Sequence, residues 1–220
     1  MKFAYFIIGL FLFSSCSPST YFRTPNEMQL ILGTVLLKNG KELEGKINAN
    51  IRSNKANKNY IKVTQSENSK SKEIQLSEIS EVRIRNVIYV PKTITYGLFE
   101  RPFTKLLKRI TPAGNVIELY EDEKITTTTD LNNNIATSNS YTNYIYYVQF
   151  PNEDECLRAD GKYFQPDFDD KVSSRVKDCS SLAKKIKNKE KDFYYPVIHS
   201  IDREINVWQN ISSQYQKCKE

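Results

Sequence analysis

Apolar positions recur in short alternating runs from about residue 30 to residue 90. Ile31, Val35 and Leu37 alternate with Leu32, Thr34 and Leu36. Glu42-Leu43-Glu44-Gly45-Lys46-Ile47 then returns with a period of two, which is the signature of a strand. Asn39-Gly40 lies between the two runs. Both residues tolerate positive φ, so the pair predicts a tight hairpin. Tyr60-Ile61-Lys62-Val63-Thr64 predicts a further strand, and Ile74, Leu76, Ile79, Val82 and Ile84 resume the pattern. Val87 to Val90 closes it before Pro91.

A second β stretch follows. Phe103 to Ile110 leads into the turn residues Thr111-Pro112-Ala113-Gly114-Asn115, and Val116-Ile117-Glu118-Leu119-Tyr120 runs back. Tyr144 to Phe150 is an aromatic strand, expected to pair with Val116 to Tyr120. Between them, residues 126–143 carry one charge, Asp130, and are rich in Thr, Asn and Ser. With no apolar period, this polar insertion is expected to be an exposed loop.

The last third changes to a helical period. Phe168, Val172, Val176, Cys179, Leu182 and Ile186 step by 4, 4, 3, 3 and 4, which is one apolar stripe. Ile201, Ile205, Trp208, Ile211, Tyr215 and Cys218 form a second, with Ser200 placed as its N-cap. The fold class predicted is α+β: an antiparallel β-barrel or twisted sheet over 30–151, followed over 152–220 by a C-terminal antiparallel pair of helices packed on the sheet.

The strongly apolar run Phe3 to Phe13 follows Lys2. It is far shorter than the roughly 20 residues that span a bilayer, and it reads as an export signal. The residues after it, Leu12-Phe13-Ser14-Ser15-Cys16, resemble the lipobox of bacterial lipoproteins. Phe13 stands where that family usually has Leu. The resemblance implies cleavage after Ser15, so that 1–15 is a signal peptide, and acylation of Cys16. It also implies a lipid-bilayer partner and a cell-envelope location. Ser17 follows the cysteine, not Asp, which by the same analogy favours the outer membrane over the inner. Residues 16–29 would then be the lipidated N-terminus and a tether, punctuated by Pro18 and Pro25. Residues 30–90 are weakly similar to the Sm-like barrel. The likeness rests on Leu37 to Gly45, with Asn-Gly ahead of a glycine-bearing strand, and on Val82 to Val90, where Asn86 replaces the family's glycine.

Composition narrows the classes. Hydrophobic residues are 39% and charged residues 26%, which excludes wholesale disorder. The formal charge is +6, but nucleic acid is not an expected partner of an exported chain. Seven glycines and one histidine leave little for phosphate-cradling loops or histidine chemistry. His199 is read as a surface or capping residue.

Cys156, Cys179 and Cys218 remain once Cys16 is acylated, an odd number for an oxidising compartment. On two long antiparallel helices, Cys179 and Cys218 would be offset by roughly 10 Å, beyond the reach of about 7 Å between bridged Cα atoms. Cys156 with Cys218 fits level with level and is the candidate disulfide, while the pairing among Cys156, Cys179 and Cys218 stays open. No cysteine or histidine spacing marks a metal site, and no cofactor is implied.

Tyr141, Tyr144 and Tyr146 cluster beside the polar insertion and are candidate partner-contact aromatics. The function expected is a non-catalytic, membrane-anchored envelope lipoprotein that binds or supports an envelope protein or glycan. The alternatives are an envelope hydrolase built on unmarked carboxylates, or an Sm-like nucleic-acid binder if the chain is not exported.

Overall fold

A computed structural model of the chain describes residues 27–50, 59–66, 69–94, 102–132, 135–161 and 163–220. Cys16, the signal segment and most of the tether lie outside them. Among these described residues, ten strands form one large sheet. They are β1 (Glu27–Leu37), β2 (Glu42–Asn50), β3 (Tyr60–Thr64), β4 (Lys72–Gln75), β5 (Ile79–Ile84), β6 (Val87–Ile94), β7 (Phe103–Arg109), β8 (Glu118–Asn132), β9 (Ile135–Gln149) and β10 (Glu155–Arg158). Their order is β10-β9-β8-β7-β6-β5-β1-β2-β3-β4. A short parallel pairing of β10 with β6 closes the pairings of β6 to β10 into a ring. Three helices follow: α1 (Phe168–Arg175), α2 (Ser180–Lys187) and α3 (Ile201–Lys219). The α+β class is as expected.

The hairpin at Asn39-Gly40 forms. Gly40 has φ +83°, and the Asn39 side chain accepts from the Lys41 amide at 3.0 Å. Strands β1 to β5 contribute to one apolar core that includes Val35, Ile47, Ile61, Ile74 and Val82. Strands β2 and β3 approach closely at Gly45, where a Cβ would lie 2.5 Å from the Thr64 carbonyl oxygen.

Alternation along β8 and β9 divides two further cores. Tyr120 and Tyr147 turn into the ring with Val90, Ile94, Leu107 and Cys156. Leu119, Tyr146 and Val148 turn the other way, under the helices. Trp208 is fully buried there, with its ring centroid 5.0 Å from that of Phe164 and 5.4 Å from that of Phe168. Its indole donates to Tyr195 Oη at 2.9 Å, and Tyr195 donates to the Ala159 carbonyl at 2.7 Å. The indole N–H of Trp208 and the hydroxyl of Tyr195 are thereby paired, as buried polar atoms usually are.

Three expectations are corrected. The first apolar stripe is buried along its whole length but is not one helix, because the chain turns between Arg175 and Ser180. That break changes the disulfide. Cys179 sits just ahead of α2, with its Cα 6.0 Å from that of Cys218, and these two are bridged. The expected Cys156–Cys218 pair does not form. Cys156 is a free thiol on β10, enclosed by the ring. The offset argument assumed continuous helices, and the turn after α1 removes that premise.

Residues 126–143 are the third correction. The expectation there is a loop, but 126–132 and 135–143 extend β8 and β9 in one antiparallel ladder from Glu118↔Gln149 to Asn132↔Ile135. A ladder is held by main-chain hydrogen bonds and needs no apolar period, and threonine favours extended backbone.

Candidate functional site

The three tyrosines expected to meet a partner all fall on β9, but they do not share one fate. Tyr146 is buried beneath the helices, which corrects its assignment as a contact residue. Burial and nearby carboxylates push its phenol up to about 12. Tyr144, two residues earlier and on the same face by strand alternation, is exposed. Tyr141 pairs with Thr126 in the backbone ladder, and its side chain lies outside the described residues.

The ladder sets the shape of this region. Among the described residues, β7 pairs with β8 only at Arg109↔Tyr120 and Lys108↔Glu121, and β10 pairs with β9 only at Val148 and Tyr147. Beyond those positions β8 and β9 pair with each other alone. They make a two-stranded arm whose outer main-chain edges have no strand neighbour among the described residues. Such edges are where strand-to-strand association begins.

Polar groups that could have carried chemistry are instead tied into the fold. At the ring, Lys92 Nζ donates to Glu118 at 3.0 Å and to Gln149 at 2.6 Å, and Tyr120 donates to Glu118. Burial opposes ionisation of Glu118, but the hydrogen bonds from Tyr120 and Lys92 outweigh it and hold the carboxyl below its ordinary value. Burial pushes the nearby Cys156 thiol up to about 12, which leaves almost no thiolate at neutral pH. Lys105 and Asp122 form a buried ion pair at 2.6 Å. Asp169 and Asp170 reach across to Lys187, and Asp169 also meets Lys189 at 3.5 Å. Among the described residues, no group of three or more His, Cys, Asp or Glu side chains could hold a metal ion.

His199 is not a surface residue. Its ring is only 10% exposed, and it pairs with the buried Glu204 at 2.8 Å. Burial raises the Glu204 carboxyl above its ordinary value, and the hydrogen bond with His199 works against that rise.

An open cleft of about 490 Å³ lies by the start of β8 and the end of β9. Val116 precedes β8, and Pro151 and Asn152 follow β9. Arg175 closes α1, Lys177 and Asp178 lie in the turn between α1 and α2, and Tyr215 and Lys219 come from α3. The Cys179–Cys218 bridge adjoins Asp178 on one side and Lys219 on the other. Tyr215 donates to Asp178 at 2.9 Å, and Lys219 forms an ion pair with it. Hydrogen bonds from Lys219 and Tyr215 hold the Asp178 carboxyl below its ordinary range. Sequence reading missed this site, because its residues come from four separate segments and have no shared spacing. The cysteines flanked by Asp178 and Lys219 were the one available signal, and their pairing was misjudged.

Compared with known proteins, the chain matches no family model, no curated protein and no solved structure.

Proposed function

We propose that the protein is a non-catalytic lipoprotein of the bacterial cell envelope, anchored through acylated Cys16, in the outer membrane in preference to the inner. Its folded part would serve as a binding or structural module for another envelope protein or a glycan. The run Leu12-Phe13-Ser14-Ser15-Cys16 carries this reading. The Cys179–Cys218 bridge agrees with it, because structural disulfides belong to oxidising compartments. Among the described residues no helix is long and apolar enough to cross a membrane, so attachment would rest on the acyl chains. Each buried CH₂ contributes about 0.8 kcal/mol, and two or more chains make attachment stable.

In this reading the ring of β6 to β10 is a small barrel, and α2 and α3 form the antiparallel pair. Lys185 Nζ donates to Gln214 at 3.2 Å, and the bridge joins the start of α2 to the end of α3, both of which support that pairing. The β1–β5 unit keeps the weak Sm-like likeness as one of shape. Partner contact would fall on the β8–β9 arm and the exposed Tyr144.

The test is the intact mass of the protein extracted from membranes. Loss of residues 1–15 with a gain of acyl mass is expected, and Cys16→Ser should leave the signal uncut and the chain unacylated. A mature mass without acyl chains, or one retaining Met1, would overturn the anchor.

A further inference from the structure

The cleft at the base of β8 and β9 has donors left over after its internal pairs are made. Lys219 and Asp178 satisfy each other. Arg175 donates through Nε to Glu153 at 3.2 Å, and its two Nη groups have no hydrogen-bond partner among the described residues. The Arg175 guanidinium is nonetheless held in place, 5.0 Å from the Phe150 ring centroid and 5.1 Å from that of Tyr163. Cation–π contacts of this kind hold the guanidinium in place and leave its Nη groups able to donate. Lys177 is exposed and has no ion-pair or hydrogen-bond partner among the described residues. The Asn152 side chain is likewise uncommitted, on a residue held at φ +64°. Val116, Pro151 and the ring of Tyr215 add apolar lining. The volume is within the range of ordinary small-ligand sites.

We propose that this cleft binds a compact organic anion, a carboxylate or phosphate group carried on a body of about one sugar ring. The anionic oxygens meet the Arg175 Nη groups and Lys177 Nζ, a geometry in which charge-assisted bonds are strong. The body of the ligand rests on Val116 and Pro151, with Asn152 able to serve a hydroxyl. The bridge fixes the α1–α2 turn against the end of α3, so the walls are set before a ligand arrives. This inference depends on neither the anchor nor the arm.

Calorimetric titration of the membrane-extracted protein in detergent tests it, using glucose 6-phosphate, glucuronate, glucose and inorganic phosphate. Saturable binding of at least one of the two anionic sugars is expected, and which one binds distinguishes phosphate from carboxylate. Glucose should not bind, and inorganic phosphate should bind at least about tenfold more weakly than the better sugar. Lys177→Glu, at an exposed position, should lower the affinity by about tenfold or more with unchanged thermal unfolding. Arg175→Lys keeps the charge but loses the fork, and should also weaken binding. Failure of both anionic sugars to bind would overturn the proposal. So would equal binding of glucose or inorganic phosphate, or binding that Lys177→Glu leaves intact.

Discussion

His199 Nε2 lies 2.8 Å from Glu204 Oε2, while the other ring nitrogen lies 2.8 Å from the Pro196 carbonyl. A carbonyl can only accept, so Nδ1 carries a proton. The Nε2 contact then also needs one, shared by an imidazolium–carboxylate pair or by a neutral imidazole and a protonated Glu204. Gln at position 204 could donate to a neutral His199 in the same place. The Glu204 carboxyl is raised in the fold, so its contribution to stability is fully present below the unfolded value and is lost as pH rises through the folded value. Glu204→Gln should therefore remove part of the fall in stability above pH 4.5, and the variant should gain on the wild type as pH rises. Urea midpoints measured from pH 4 to 8 check this; parallel curves for the two proteins would refute it.

The bridge closes a loop between residues 39 apart in sequence. A cross-link of that span stabilises a domain by about 2–4 kcal/mol. Cys218→Ser should lower the unfolding free energy by about that amount, and adding reductant to the wild type should do the same. Cys156→Ser should leave one disulfide in the intact mass. In the native wild type the Cys156 thiol should react with a maleimide only after unfolding, because it is enclosed by the ring and its thiolate is disfavoured. Rapid labelling of the folded protein would contradict that placement.

Gly45 faces Gly33 across β1 and β2. A methyl group at position 45 would meet backbone atoms of β3 and the residue after it, with the Thr64 carbonyl oxygen at 2.5 Å. Backbone cannot rotate away as a flexible side chain can, so the strands must separate. Gly45→Ala should cost about 1–3 kcal/mol by denaturant unfolding. Ala at position 40 should be unfavourable for a different reason: the space is open, but φ is +83°.

Much of the architecture could be read from periodicity. The run Tyr60–Thr64 is β3, and Tyr144 to Phe150 meets Val116 to Tyr120 through pairs such as Leu119↔Val148. Ser200 caps α3 by accepting from the Arg203 amide at 3.3 Å. These succeed because each depends on local pattern or chemistry. The misses depend on geometry that no local pattern records. Burial at Val176 and Cys179 continues through a helix break, since an apolar stripe reports which side faces the core and not whether the backbone stays helical. The β8–β9 ladder over 126–132 and 135–143 is written in main-chain bonds, which leave no apolar period. Tyr144 and Tyr146 share a strand face, yet the first is exposed and the second is buried beneath the helices. The cleft was invisible because Asn152, Arg175, Lys177 and Lys219 meet only after three separate turns of the chain.

Lys105 and Asp122 offer the sharpest energetic test of how the charged side chains are held. Both are nearly inaccessible, with side-chain exposures of 9% and 3%, and their charged atoms are 2.6 Å apart. Removing Asp122 strands the Lys105 ammonium away from water, and breaking a buried pair this way costs about 3–5 kcal/mol. Asp122→Leu alone should therefore be among the more damaging single substitutions in this sheet. The double variant Lys105→Met, Asp122→Leu removes both charges together and should recover most of the loss, because the pair's attraction is largely offset by the desolvation of its members. Denaturant unfolding of the wild type, both single variants and the double variant completes the cycle. Additive losses in the double variant would mean that the two charges are solvated independently and that the pair is not the unit of stability.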